Sequence, residues 1–290
     1  MNLFHKVLVT LLICFLFLLP VFADENDSKT SQHITLEIKS EGYELEVLIN
    51  GFPYYSCIAS NRVSKTARIN GFLQESDNSI IAHLKELQEK DKNVTAYFSI
   101  AVISSFVNDK REILSEDAIV SLKYHPKNVE KGSGKQAEWQ IIELPFVVKK
   151  FPVKILPWNE GEADYILDDS HKKELTKILL GFHDALASKD INVISDLMRV
   201  KNTHNAKALD MSLEKTEEMQ NRFFEELFKD EQYHVEPMEK VELNFNKYDN
   251  VNLVKITSQD KPPVSARLSD HRYELQPYFS LIDGRWELVY

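Results

Sequence analysis

Three histidines have neighbours that could support proton transfer. His183 stands beside Asp184, His271 stands beside Asp270, and His204 lies in the polar stretch VKNTHNAKAL. An imidazole titrates near neutral pH, so a histidine next to a carboxylate could act as a general acid or base. A partly buried structural role is nevertheless favoured for His183, and a solvated loop is favoured for the pair at His271. The sequence therefore predicts no catalytic residue.

Motifs for other kinds of chemistry are missing from the sequence. His171, His183 and His204 do not have the paired helical spacing with a carboxylate that binds zinc. The chain has only 8 glycines, and it contains neither a glycine-rich phosphate loop nor a Gly-x-Ser-x-Gly pattern. We therefore predict no metal site and no cofactor, and a binding protein is favoured over an enzyme.

The N-terminus has the composition of a signal peptide. Lys6 precedes an apolar run, Pro20 ends that run, and the residues VFA lead to a cleavage point after Ala23. The alternative is an uncleaved membrane anchor, but the apolar run over residues 7–22 is shorter than the roughly 20 residues that a spanning helix needs. We predict that residues 1–23 are removed, which implies a periplasmic or secreted protein with no stable membrane span.

Charge and cysteine usage limit the classes of partner. The chain has 35 basic and 45 acidic residues, a formal net charge of −10. This balance argues against binding of nucleic acid or anionic lipid and permits a basic protein partner. Cleavage of the signal peptide would remove Cys14 and leave Cys57 as the only cysteine, so the mature chain could not form an intrachain disulfide. Cys57 is expected to be a small buried side chain.

Residues 24–160 are predicted to fold as a β-sandwich. Apolar residues alternate at Ile34, Leu36 and Ile38, and Asn50-Gly51 is a strong hairpin turn. Several short strands separated by turns are typical of the immunoglobulin-like arrangement. The stretch LINGFPYY, with the sequence that follows it, resembles carbohydrate-binding-like and adhesin-like sandwiches.

The pattern changes after Pro157, and residues 165–290 are predicted to form an α+β domain. Asp168 can cap a first helix, which has apolar residues at helical spacing, and Asp190 can cap a shorter second helix. A third helix is predicted over residues 212–228. Strands are predicted at residues 240–247, 251–257, 272–282 and 285–290.

Two stretches of this second half resemble the SnoaL-like or nuclear-transport-factor-like family, also called the cystatin-like α+β roll. LGFHDALASKDINVISDLM is similar to that family's opening helix pair, and FSLIDGRWELVY is similar to its closing hairpin. The resemblance covers residues 167–290 and implies three helices on a curved antiparallel sheet. It also implies a cone between sheet and helices, for which His183, His204 and Trp286 are the candidate binding residues.

The same resemblance leaves the activity open. Enzymes of the family, such as ketosteroid isomerases and polyketide cyclases, place carboxylates, Tyr or His in the cone, whereas many other members only bind. His204 occupies the region where the isomerases carry their base, but the aspartate of that family is missing here.

Three functions therefore remain as hypotheses. The favoured one is an exported non-enzymatic protein of the cell envelope that binds another protein, with an immunity protein that neutralises a basic secreted toxin as one form of it. The second is a roll that binds or isomerises a small molecule in its cone. The third is a carbohydrate-binding or envelope-binding sandwich, whose stacking rings would come from Tyr43, Tyr54, Tyr55, Tyr97 and Trp139.

Overall fold

The computed structural model describes residues 30–57, 62–87, 96–108, 110, 112–125, 139–149, 151–159, 165–238, 243–248, 251–258 and 261–290. Within these ranges the chain is a mixed α+β protein with four α-helices and several antiparallel sheets, which confirms the fold class at this level. The predicted signal peptide lies outside the described ranges. Among the residues within them, no helix is both long and apolar enough to cross a lipid bilayer.

The first half of the chain consists of strands. They are β1 (Ser31–Glu41), β2 (Tyr43–Ile49), β3 (Phe52–Cys57), β4 (Arg62–Arg68), β5 (Ser76–Glu86), β6 (Tyr97–Val107), β7 (Ile113–Tyr124) and β8 (Gln140–Val148). Because apolar residues alternate with polar ones, each strand can bury one face; β2, for example, buries every second residue. The first sheet has the order β4-β1-β6-β7 and the second sheet has the order β3-β2-β5-β8.

Buried residues of both sheets belong to one hydrophobic cluster, the first core, which includes Ile34 and Leu36 of β1 and Leu45 of β2. The predicted hairpin turn joins β2 to β3, with φ of 49° at Asn50 and 77° at Gly51. Positive φ at both turn positions matches the right-handed twist of the two strands, which is why Asn-Gly is favoured there.

Four helices follow: α1 (Asp169–Ser188), α2 (Ile191–Leu197), α3 (Arg199–Ala208) and α4 (Leu213–Phe228). The side chains of Asp168, Asp190 and Ser212 each accept a hydrogen bond from a backbone N–H of the helix that they precede, at 3.0, 3.2 and 3.2 Å. These caps satisfy amides that have no partner inside the helix, so they fix where α1, α2 and α4 begin.

The prediction of three helices is wrong, because α3 was missed. This helix buries Asn202, His204, Ala206 and Ala208, which lie on two sides of it. A helix that buries its own side chains on two sides, some of them polar, has no single apolar stripe. Sequence patterns identify a helix by that stripe.

The remaining strands are β9 (His234–Val235), β10 (Leu243–Lys247), β11 (Val254–Ser258), β12 (Val264–Arg267), β13 (Arg272–Leu275), β14 (Tyr278–Ile282) and β15 (Arg285–Leu288). They form a third sheet, β13-β12-β9, and a fourth sheet, β10-β11-β14-β15. The single strand predicted over residues 272–282 is divided into β13 and β14 because Pro277, which cannot donate to a strand ladder, lies between them. The predicted final hairpin is confirmed, with Phe279 opposite Leu288.

The fourth sheet is covered on both faces. On one face Ile256, Phe279 and Trp286 join a second hydrophobic cluster with α1, α2 and α4. On the other face Tyr278, together with Val289 just after β15, belongs to the first core. The two halves of the chain therefore share a core.

Aromatic rings form the centre of this junction between the halves. The ring centroid of Phe52 lies 4.6 Å from that of Tyr278, 4.9 Å from that of Tyr290 and 5.0 Å from that of Trp158. Trp158 Nε1 also donates to the carbonyl of Asn50 at 3.1 Å. Such edge-to-face and tilted pairs add to the energy of apolar burial. The predicted domain boundary near residues 160–165 stays a prediction.

Candidate functional site

His183 connects α1 to the segment after β9. Its Nε2 lies 3.2 Å from the carbonyl oxygen of Glu236, and its Nδ1 lies 3.2 Å from Asp184 Oδ1. Since a carbonyl only accepts, Nε2 carries the proton in this pair. The side chain is 18% exposed. Its hydrogen bonds give His183 a structural position between two backbone segments.

His204 lies at the junction of the two halves. It is 6% exposed, its Nε2 donates to the carbonyl of Gly71 at 2.7 Å, and its ring centroid lies 6.0 Å from that of Trp158. Burial lowers the pKa of His204 below its usual value, because the charged form loses its hydration. A neutral imidazole that donates to a loop carbonyl joins α3 to the first half of the chain.

Trp286 lies in the second hydrophobic cluster and is 4% exposed. Its ring meets Tyr165 and His171 edge-on, with centroid distances of 5.2 and 5.7 Å. Among the described residues, its Nε1 has no hydrogen-bond partner. Within the same part of the chain, no hydrogen bond or ring contact joins His183, His204 and Trp286 to one another.

A buried pair of amides was not found from the sequence. Asn202 of α3 and Gln220 of α4 are 3% and 4% exposed. Within the described part of the chain, Asn202 Nδ2 and both amide atoms of Gln220 lack hydrogen-bond partners. Asn202 and Gln220 lie on consecutive helices that pack against each other. An unpaired buried polar group costs about 1–3 kcal/mol, and a water or small polar ligand would remove that cost.

The outer face of the second sheet presents an exposed tryptophan among charged residues. In the register of β2 and β5, Glu44 lies opposite Lys85 and Glu46 lies opposite His83. In the register of β5 and β8, Ile141 lies opposite His83. We call these residues, together with Trp139 just before β8, the Trp139 face. Trp139 is 46% exposed and Ile141 is 70% exposed.

The polar members of the Trp139 face contact one another and the tryptophan ring. Lys85 Nζ lies 3.3 Å from Glu44 Oε2 and 5.5 Å from the centroid of the Trp139 ring. His83 Nδ1 lies 2.8 Å from Glu46 Oε2, and the His83 ring stands edge-on to Trp139 at 6.5 Å. The tryptophan is therefore flanked by two ordered polar groups while its remaining surface is open.

The rings proposed for carbohydrate stacking differ strongly in exposure. Tyr43 and Tyr54 are 1% and 5% exposed and belong to the first core, and Tyr55 and Tyr97 are half-buried. Burial raises the pKa of Tyr55 to about 12, so its hydroxyl stays protonated. Trp139 is the exposed ring of this set. Sequence reasoning named it but could not separate it from the buried rings.

The potential metal ligands and the thiol of the described ranges are as follows. No group of three or more His, Cys, Asp or Glu side chains there is arranged to hold a metal ion. Cys57 is a free thiol and is half-buried, less covered than the sequence predicts.

No family model matches the chain, and neither a curated protein nor a solved structure matches it.

Proposed function

We propose that this chain is an exported, non-enzymatic protein of the cell envelope that binds another protein through the Trp139 face. In this proposal the first two sheets form an immunoglobulin-like sandwich, and residues 165–290 form a SnoaL-like roll. The observation that supports binding is the exposure of Trp139 and Ile141 on a sheet face where an ion pair and a hydrogen bond hold the neighbouring polar side chains.

The composition of this face is suited to a protein interface. Tryptophan is enriched at the few positions that supply most of the binding energy, and such positions are surrounded by polar groups that exclude water. Truncation of a residue of this kind costs about 2 kcal/mol or more, which is roughly a thirtyfold change in affinity. Trp139 and Ile141 would be the centre of the interface, and Glu44, Glu46 and Lys85 would be its rim.

Charge indicates the kind of partner. The face holds two carboxylates, Glu44 and Glu46, against one lysine, Lys85, and the whole chain carries a net charge of −10. A partner with basic groups around an apolar centre would complement it and would associate faster at low ionic strength. A basic secreted toxin fits this description, and this chain would then be its immunity protein.

Affinity capture with matched variants tests the proposal. The mature chain is immobilised and exposed to an envelope extract, in parallel with Ile141→Asp and with Ile166→Asp. Both isoleucines are strongly exposed, 70% and 82%, so neither change should disturb the core. We expect one protein to be retained by the unmodified chain and by Ile166→Asp but not by Ile141→Asp.

Two outcomes would contradict the proposal. One is identical capture by both variants, which would show that the captured protein does not bind the Trp139 face. The other is retention of the chain on cell-envelope polysaccharide that is lost with Trp139→Ala, which would make the face a carbohydrate platform. If the captured protein is a toxin, co-expression of this chain should restore the growth of cells that produce it.

The amide pair of Asn202 and Gln220 favours a second candidate function, binding of a small polar molecule inside the roll. These atoms offer both donors and acceptors and are buried without partners within the described part of the chain. Native mass spectrometry of the purified protein should then show a retained small molecule that is lost in Gln220→Leu. A mass equal to that of the chain alone would count against this function.

A further inference from the structure

β7 is a long strand whose first half is exposed to solvent. Among the residues that the structure describes, it is the edge strand of the first sheet, and its first six residues, Ile113 to Ala118, are all exposed. Ile113 and Leu114 are 60% and 56% exposed, and Phe106 of the neighbouring strand is 42% exposed. An exposed edge of this kind offers unpaired backbone groups to another strand, and proteins usually protect such edges with charges or bulges.

The charges of β7 are divided between its two ends. Glu116 and Asp117 lie in the first half, and Lys123 lies near the other end. Glu116 is opposite Ser105 of β6, and Lys123 is opposite Ser99. Ser99 and Ser105 are an even number of positions apart along β6, so their side chains point to the same face of the sheet. Glu116 and Lys123, which lie opposite them, therefore also point to that face.

This arrangement is self-complementary. When two identical strands pair in an antiparallel manner about a two-fold axis, the acidic end of each meets the basic end of the other. The register shift of β6 and β7 between Val102 and Ile103 leaves one extra residue in β7. Glu116 and Lys123 can therefore face each other across the axis without turning either side chain to the opposite face.

We propose that two copies of this chain associate through β7, which joins their first sheets into one continuous antiparallel sheet. Glu116 of each copy lies opposite Lys123 of the other copy. The same register places Ser115 opposite Tyr124 and Asp117 opposite Leu122, so no like charges face each other directly. Opposite charges at facing positions favour one register over its neighbours.

The association also covers apolar surface. Leu114 and Ile113 precede Ser115 in β7 and lie at the end of the paired region, beside Tyr124 of the other copy. Their exposed side chains lose contact with water there. The Trp139 face belongs to the second sheet and takes no part in the pairing of the β7 strands, so this dimer goes beyond the proposed function and does not depend on it.

Charge exchange tests the proposal. Sedimentation velocity of the mature chain at about 50 µM, where mass action favours association, should show a dimer. Glu116→Lys and Lys123→Glu should each weaken the dimer about tenfold or more, because each change places like charges opposite each other twice. The double variant Glu116→Lys/Lys123→Glu should return the dissociation constant to within about threefold of the original.

Lys215→Glu is the control for Lys123→Glu, since Lys215 is exposed in the first turn of α4 and both substitutions change the net charge by the same amount and sign. It should leave the dimer unchanged. A monomer at the highest concentration tested would overturn the proposal. So would a dimer that all the charge variants leave intact, because another surface would then hold it. Failure of the double variant to recover association would refute the pairing of Glu116 with Lys123.

Discussion

Replacing Gly51 with alanine tests whether the two halves of the chain pack as one unit. Gly51 has φ of +77°, and an added Cβ would lie 2.5 Å from Val251 Cγ1 in the second half. The left-handed conformation costs an L-residue about 1–2 kcal/mol, and a methyl group forced into a packed contact costs about 1–3 kcal/mol more. We expect Gly51→Ala to lower the free energy of unfolding by roughly 2–5 kcal/mol.

Gly284 provides the matched control for this experiment. It has φ of +73°, but within the described part of the chain no heavy atom beyond its sequence neighbours lies within 4 Å of the Cβ position. Gly284→Ala should therefore lose only the conformational part, about 1–2 kcal/mol. Urea unfolding of both variants gives the difference, which is the steric cost of placing the new methyl group against Val251.

A double-mutant cycle with Val251→Ala identifies the contact itself. Shortening Val251 removes the methyl group that the new Cβ would meet, so the double variant should be less destabilised than the sum of the two single changes by about 1 kcal/mol or more. Equal losses for Gly51→Ala and Gly284→Ala, or a cycle that is additive within about 0.5 kcal/mol, would refute the shared core.

Three further predictions concern Trp286, His204 and the N-terminus. Trp286→Ala should cost about 3–5 kcal/mol in urea unfolding, whereas Trp286→Phe, which keeps a buried ring and removes an unpaired N–H, should cost less than half of that. Because burial lowers the pKa of His204 below 6.5, the unfolded chain takes up the proton first, so stability falls as pH falls below 6.5. His204→Gln should flatten that slope, and an unchanged slope would contradict it. N-terminal sequencing of the exported protein should begin at Asp24; an intact Met1 in the membrane fraction would disprove cleavage.

Local signals in the sequence predicted much of the secondary structure. The alternation of Ile34, Leu36 and Ile38 marks a strand that buries one face, and the Asn50-Gly51 turn needs positive φ that these two residues adopt readily. Asp168 and Asp190 begin helices through side-chain hydrogen bonds to nearby amides. Each of these signals depends on residues that are close together in the chain.

Features that depend on distant neighbours were not predicted. The junction pairs Phe52 with Tyr278, which are far apart in the sequence, and α3 buries residues on two of its sides, so it has no single apolar stripe. For the candidate site, Trp139 was named together with buried tyrosines, since exposure is decided by strands elsewhere in the sheet. The resemblance to a roll suggested His183, His204 and Trp286, and the structure places them in three separate environments.

Site-specific photo-cross-linking in cells tests most directly whether the Trp139 face binds another protein. A photoreactive phenylalanine derivative is placed at Ile141, and a second variant carries it at Ile166 as the control for an exposed apolar position. We expect a discrete adduct with another polypeptide from position 141 and none from position 166. No protein adduct at position 141, or the same adducts at both positions, would contradict it.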